Sequence, residues 1–130
     1  MKWQLEHIGL PSISPENLAR WYVSKLEGKV KLKGPGENPA FFVEVAGTII
    51  EIYLCGSSLE QTGNNSLAGF RHLALRVDAI EPAMKELVLK GVEFREPIKE
   101  AGGGGRVVFF KDPEGNLLHL VERPEGSIFQ

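Results

Sequence analysis

The stretch VVFFKDPEGNLLHLVE, residues 107–122, has the pattern of a β-hairpin. Two apolar runs flank the segment DPEGN, whose proline, glycine and asparagine are residues that favour turns. An imidazole, His119, lies in the middle of the second apolar run. Because side chains alternate between the two faces of a strand, His119 shares a face with Leu117 and Val121. The chain has only two other histidines, and their positions in the sequence indicate why a histidine lies in this strand.

The region before this hairpin has a counterpart in the first half of the chain. LEHIGL (5–10) matches FRHLAL (70–75), which aligns His7 with His72. The period of about 65 residues is too long for a solenoid repeat and is typical of two copies of one folding unit.

Each copy continues with the same predicted elements. Ser14 before a proline, and Asp78 three residues before a glutamate, are helix start signals that precede amphipathic stretches. The segments KVKLK (29–33) and VEFRE (92–96) follow these helices and are predicted to be short strands.

A hairpin completes each copy, and in the first it is FFVEVAGTIIEIYL (41–54), in which Glu51 aligns with His119. Each half is therefore predicted to have the order strand–helix–strand–strand–strand, which gives an α+β fold of two βαβββ modules. We expect a single domain, 1–130, with module one at 3–54, a polar, glycine-containing linker at 55–69 and module two at 70–123.

Four polar residues thus occupy equivalent positions of the repeat: His7, Glu51, His72 and His119. A buried carboxylate without a partner is unfavourable by several kcal/mol, so Glu51 requires one. A divalent metal would satisfy all four side chains, and imidazole with carboxylate suits Zn, Ni, Mn, Fe or Co. In the alternative interpretation the histidines are hydrogen-bonded core residues and the glutamate is exposed.

Composition excludes several other classes of protein. A net charge of −2, with no basic run, gives no reason to bind nucleic acid or an anionic membrane. No segment resembles a signal peptide or has the about 20 apolar residues of a membrane span. Cys55 is the single cysteine, which excludes an intrachain disulfide and favours a cytoplasmic location.

The segments LEHIGL, TIIEIY, FRHLALRV and FKDPEGNLLHLVE resemble the vicinal oxygen chelate superfamily over about residues 3–123. This is the group of glyoxalase I, extradiol dioxygenases, fosfomycin-resistance thiol transferases and bleomycin-resistance proteins. The resemblance implies two βαβββ modules that form a curved mixed sheet around one metal ion, with His7, Glu51 and His72 at ligand positions. His119 stands where the family usually has glutamate, and this departure makes a dioxygenase or thiol transferase less favoured.

The resemblance is greatest to glyoxalase I-like proteins, which use an acid at the position of Glu51. It implies a metal-dependent lyase in which Glu51 removes a proton next to vicinal oxygens of a small substrate, such as a glutathione or other thiol adduct of an aldehyde. Many relatives of this length are homodimers, with sites inside one chain or across the interface. A drug-binding protein of the bleomycin-resistance type without catalysis is the competing class, and an epimerase is a third.

Two further features concern the rim of such a site. The run Gly102–Gly105 is interpreted as a flexible hairpin loop, with a mobile lid or a backbone nest for an anion as the alternative. Arg76 shares a strand face with His72 and could contact a carboxylate or be an ordinary solvated arginine.

Overall fold

The computed structural model describes residues 1–58 and 60–129, so Leu59, within the predicted linker, and Gln130 lie outside the described residues. The chain divides into two compact units, Met1–Glu60 and Gln61–Gln130. Each unit contains one helix and one four-stranded sheet. The predicted α+β class with two βαβββ modules is confirmed.

The first unit consists of β1 (His7–Ser12), α1 (Pro15–Leu26), β2 (Lys29–Lys33), β3 (Phe41–Val45) and β4 (Thr48–Leu54). The strands lie in the order β1-β4-β3-β2, with β1 parallel to β4 and the other pairs antiparallel. Helix α1 packs on one face of this sheet, because Leu18 and Tyr22 on its apolar stripe are buried together with Val43, Ile50 and Ile52.

The second unit repeats this order with β5 (His72–Arg76), α2 (Ile80–Leu89), β6 (Lys99–Glu100), β7 (Arg106–Lys111) and β8 (Leu117–Glu122). Its strands lie in the order β5-β8-β7-β6, and β5 is parallel to β8. Helix α2 contacts β7 and β8. In contrast to β3, where burial alternates, five consecutive residues of β8 from Leu117 to Val121 are buried, so both faces of this strand are covered.

The parallel pairing of the first and last strand in each unit determines where the polar residues lie. In the first unit His7 is opposite Ile49 and Gly9 is opposite Glu51. In the second, His72 is opposite Leu117 and Ala74 is opposite His119. Residues opposite each other point to the same side of a sheet, so each histidine of a first strand shares a face with the polar residue of the last strand.

The turn between β7 and β8 is held by Asp112, which is buried. Its Oδ1 accepts hydrogen bonds from the backbone N–H of Glu114 (2.9 Å) and of Asn116 (3.0 Å), and its Oδ2 accepts one from Asn116 Nδ2 (2.8 Å). Gly115 has a φ of 85°, a conformation that glycine adopts without strain. These bonds fix the hairpin that carries His119 and account for the DPEGN segment.

The predicted start of α1, with Ser14 before Pro15 as the first helical residue, is correct, but two predicted side-chain caps do not form. The Ser14 side chain makes no capping hydrogen bond, and the first turn of α1 instead begins with Leu18 N–H donating to the carbonyl of Ser14. The box of Asp78 and Glu81 does not form, because α2 begins one residue later, at Ile80. A carboxylate from β8, Glu122 Oε2, accepts the Ile80 N–H at 2.8 Å and replaces the local cap.

The predicted strand VEFRE (92–96) is also absent from the structure. The N–H of Val92 donates to the carbonyl of Leu87 and so belongs to the end of α2. Pro97 then supplies no N–H for a ladder, and pairing with β7 begins only at Lys99.

Candidate functional site

The first unit brings two of the four predicted ligands together. His7 Nε2 lies 3.3 Å from Glu51 Oε1, and both side chains are partly exposed, at 34% and 29%. The other ring nitrogen, Nδ1, lies 2.8 Å from the carboxylate of Glu6. A carboxylate that accepts the Nδ1–H of a histidine leaves Nε2 free to accept or to bind a metal, which is the common arrangement of metal-binding histidines.

The second unit brings the other two together. The rings of His72 and His119 have centroids 4.6 Å apart and are tilted by 42°. His72 Nδ1 lies 2.7 Å from Asn65 Oδ1, so this ring too is oriented by an outer partner. In both units, therefore, a polar side chain from the segment before the first strand lies within hydrogen-bond distance of Nδ1 of the histidine on that strand.

His119 differs from the other three residues in its burial. Only 8% of it is exposed, and within residues 1–58 and 60–129 neither of its ring nitrogens has a hydrogen-bond partner. Burying a polar group without a partner costs about 1–3 kcal/mol, so such groups are rare in folded proteins. The ring nitrogens of His119 are therefore available to a metal ion or to another polar group.

The environment of His119 keeps it neutral. Burial lowers its pKa to about 4, and the positive charges of Arg123 and Lys99, together with His72, act in the same direction. Neutral imidazole is the form that binds metal ions. At neutral pH His119 can therefore act as a ligand without first losing a proton.

In each unit, a phenylalanine on the strand beside the last strand contacts a histidine of the pair. Phe42 is opposite Glu51 and lies edge-on to His7, with ring centroids 6.1 Å apart. Phe109 is opposite His119 in the same way, and its centroid lies 4.8 Å from that of His119. The sequence analysis missed these residues, although Phe42 and Phe109 occupy equivalent positions of the two hairpins, opposite Glu51 and His119.

The structure thus arranges the four predicted ligands as two pairs, one in each unit. Within the part of the chain that the structure describes, no group of three or more His, Cys, Asp or Glu side chains forms a cluster that could hold a metal. The convergence of the two pairs on one ion remains a prediction. The donor set fits such an ion: three imidazoles and a carboxylate suit the divalent transition metals, and His119 has the orphaned buried nitrogens that a metal would satisfy.

The Gly102–Gly105 loop does not have the geometry of an anion nest. Arg123 Nη1 donates to the carbonyl oxygens of Gly102 (2.5 Å) and Gly104 (2.7 Å), so these carbonyls face a cation. The ring of Phe129 lies over the Arg123 guanidinium, 4.0 Å from it. A side chain at Gly105 would lie 1.9 Å from the carbonyl oxygen of Glu122, which explains a glycine there.

Glu122, the acid nearest to His119 in sequence, lies on the opposite face of β8, as alternation predicts. Its carboxylate binds the Ile80 N–H and Arg106 Nε, the latter at 2.6 Å, and Arg106 also binds both oxygens of Glu81. These bonds to Arg106 lower the pKa of both Glu122 and Glu81. The network joins α2 to the sheet and is separate from the histidine pair.

Among the described residues, no helix combines the length and the apolar character needed to cross a membrane. The helices have 12 and 10 residues.

Comparison with known proteins connects this geometry to a family. The model of the Glyoxalase/Bleomycin resistance protein/Dioxygenase superfamily matches residues 4–120. The uncharacterized protein YwkD of Bacillus subtilis (strain 168) is 31% identical over 124 residues, which cover 92% of this chain and 96% of that protein.

Solved structures show the same fold. A glyoxalase family protein from Enterococcus faecalis superposes with a TM-score of 0.78 at 24% identity, over 92% of this chain and 97% of that one. A variant of the fosfomycin resistance protein FosX from Listeria monocytogenes, complexed with Mn(II) and dihydroxypropylphosphonic acid, superposes with a TM-score of 0.72 at 20% identity, over 96% and 94% of the two chains. The chain is therefore a member of the glyoxalase/bleomycin resistance protein/dioxygenase superfamily.

Proposed function

We propose that this protein is a metal-dependent, glyoxalase-like lyase in which His7, Glu51, His72 and His119 hold one divalent ion. The observation that carries the proposal is the repeated pair. Each unit presents two potential ligands on one sheet face, and in the second unit the buried ring nitrogens of His119 lack any partner among the described residues. The Mn(II) bound to FosX, a protein of the same fold, supports a divalent ion.

The bound ion would supply Lewis-acid polarisation of two oxygens on adjacent carbons of the substrate, which would acidify the hydrogen on one of these carbons. Glu51 is the residue that takes this proton, because it is the one carboxylate among the four ligands. Its Oε1 faces His7 Nε2, and its partial exposure leaves the carboxylate accessible to substrate. The same carboxylate returns the proton to the neighbouring carbon, which completes an isomerisation.

His119 has a different role in this proposal. With a pKa of about 4 it carries no proton on its accepting nitrogen at neutral pH, and it serves as a ligand rather than as an acid. A protein with one acid instead of two has one group that can move the proton. We therefore propose a substrate or a stereochemical outcome different from that of glyoxalase I, with a thiol adduct of an aldehyde as the substrate class.

Elemental analysis tests the metal site. The purified protein, stripped with a chelator and reloaded separately with Zn, Ni, Mn, Fe or Co, should retain about one equivalent of metal per chain. His119→Ala should retain at least tenfold less, since loss of one ligand weakens binding strongly, whereas His119→Cys keeps a ligand and should retain more than the alanine variant. Metal retention below a tenth of an equivalent in the wild-type protein would contradict the proposal and favour a non-catalytic drug-binding protein.

We also propose a homodimer, in which a complete site comprises one pair from each unit. A mixing experiment shows whether both pairs belong to one chain. His7→Ala and His119→Ala are each defective alone. If the sites form across the interface, a mixture of the two variants after unfolding and refolding contains hybrid dimers in which one site has all four ligands. Recovered metal binding would indicate shared sites, and no recovery would indicate sites within one chain.

A further inference from the structure

We propose that the second unit contains an anion-binding subsite formed by Lys99 and Arg123, with Arg76 at its edge, and that the substrate is therefore a small anion with a carboxylate or phosphoryl group. The subsite lies on the sheet face that carries His119. This inference rests on the proposed function, because it makes the imidazole pair and the cations parts of one substrate site.

The strand register places the cations on one face of the sheet. Lys99 is opposite Val107, Val107 is opposite Val121, and Val121 is opposite Arg76. These four residues form one row across the sheet, with a cation at each end. Arg123 follows Val121 by two residues, so it continues the same face of the chain just beyond β8.

Lys99 is separated from the histidines by a single aromatic ring. Its Nζ lies over the Phe109 ring, 4.7 Å from the centroid. That ring lies 4.8 Å from the centroid of His119 and 5.7 Å from that of His72. A small substrate that reaches the histidine pair can therefore extend a charged group to the ammonium.

In the part of the chain that the structure describes, acidic side chains do not neutralise the positive charges of this group. Arg123 contacts two carbonyl oxygens and the Phe129 ring, and Arg76 donates to the carbonyl oxygen of Phe129. Within residues 1–58 and 60–129, none of the three cations has a carboxylate oxygen within 4.0 Å. Arg106, on the other face of the same sheet, binds two carboxylates. Among the described residues, therefore, Arg106 has negative partners and the cations on the His119 face do not.

Two further observations indicate a ligand on this face. His119 is more than nine-tenths buried, and its ring nitrogens have no hydrogen-bond partner in the described chain. The repeat also shows that two of the three cations are specific to the second unit. Arg76 and Arg123 correspond to Pro11 and Cys55 of the first unit, so the common framework does not require charge at these positions.

The experiment uses the metal-free protein, so that anion binding is measured independently of metal. Inorganic phosphate and acetate are each titrated at low ionic strength, and binding is followed by calorimetry and by the amide NMR shifts of residues 99–109 and 117–123. We expect saturable phosphate binding that weakens about tenfold in Lys99→Met, as for the loss of one charge-assisted contact, and similarly in Arg123→Gln. Lys99→Arg keeps the charge and should bind within twofold of wild type.

The matched control is Lys85→Met, which removes the same charge from an exposed position on α2. It should leave phosphate binding unchanged, whereas an equal loss in this variant would show only a general effect of net charge and overturn the subsite. Binding of acetate in preference to phosphate would identify a carboxylate substrate, and the reverse a phosphoryl one. A protein that retains metal but binds neither anion would contradict this inference alone. One that binds an anion but no metal would contradict only the proposed lyase.

Discussion

The two units share a framework and differ in charge. In both, the first strand pairs with the last, a histidine of the first strand contacts a phenylalanine of the neighbouring hairpin, and a small residue, Gly9 or Ala74, lies opposite the last-strand ligand. The first unit adds carboxylates at Glu6 and Glu51. The second adds a neutral imidazole with cations around it.

The difference indicates a division of tasks between two copies of one unit. The first unit has the group that can accept a proton from carbon, and the second has the positive charge that can hold an anion. The proposed divalent ion, with Glu51 as its one anionic ligand, would keep a net positive charge and would add to the attraction that we propose Lys99 and Arg123 exert on an anionic substrate. The predictions below test this division, beginning with the largest effect.

Substitutions of Glu51 and of His119 should distinguish the proposed catalytic base from a residue that only binds the metal. Glu51→Gln is expected to lower turnover of the substrate about 10³-fold, because an amide cannot accept the proton, and excess metal should not restore it. His119→Gln should lose activity through weakened metal binding, which excess metal restores in part. Glu44 lies on the same face of the sheet as Glu51, so Glu44→Gln is the control, and its turnover should stay within twofold of wild type. Equal rescue of both variants by metal would show that Glu51 is only a ligand.

The equivalent phenylalanines should differ in their contribution to stability. Phe109 is buried, so Phe109→Ala should lower the free energy of unfolding by about 3–4 kcal/mol. Phe42 is only partly buried, and Phe42→Ala should lower it by about 1–2 kcal/mol. Urea unfolding of the metal-free variants measures both. A reversed order would mean that the His119 face is less tightly packed than the burial of Phe109 indicates.

The two pairs of proposed ligands, His7 with Glu51 and His72 with His119, should also differ in how they affect stability at acid pH. The folded-state pKa of His119 is lowered to about 4, whereas the unfolded chain binds its proton near the usual value of about 6.5. Unfolding thus takes up a proton within this window, and the metal-free protein should lose stability, on the order of 2 kcal/mol, as pH falls from 6.5 to 4. His119→Gln should remove most of this loss, and His7→Gln should retain it. Urea unfolding at pH 4, 5 and 6.5 gives the comparison, and an unchanged slope in His119→Gln would contradict it.

The sequence predicted the features that depend on pattern. The alignment of His7 with His72, and of Glu51 with His119, determined both the repeated fold and the two pairs, because the two-residue alternation of a strand fixes the face of each side chain. The DPEGN turn was equally local, since the Asp112 carboxylate accepts hydrogen bonds from Glu114 and Asn116 within the turn.

Features that depend on long-range contacts were missed. The α2 cap comes from Glu122, which is 42 residues away from Ile80 in sequence, and the signals at Asp78 and Glu81 could not show that Arg106 would take Glu81 instead. Lys99 could not be placed near His119 until the short strand β6 was located, and the VEFRE segment suggested a strand in the wrong position. In each case a partner distant in sequence outweighed a local preference.

The parallel pairing of first and last strands has a consequence for how the protein acquires its site during synthesis. His7 leaves the ribosome well before Glu51, so the first pair can form only when β4 has been made and closes the sheet beside β1. The same delay recurs in the second half, where β5 must wait for β8. In each half, therefore, the pair of proposed ligands is complete only when the last strand has joined the sheet. A truncated chain that ends before β8 would carry the first pair without the second.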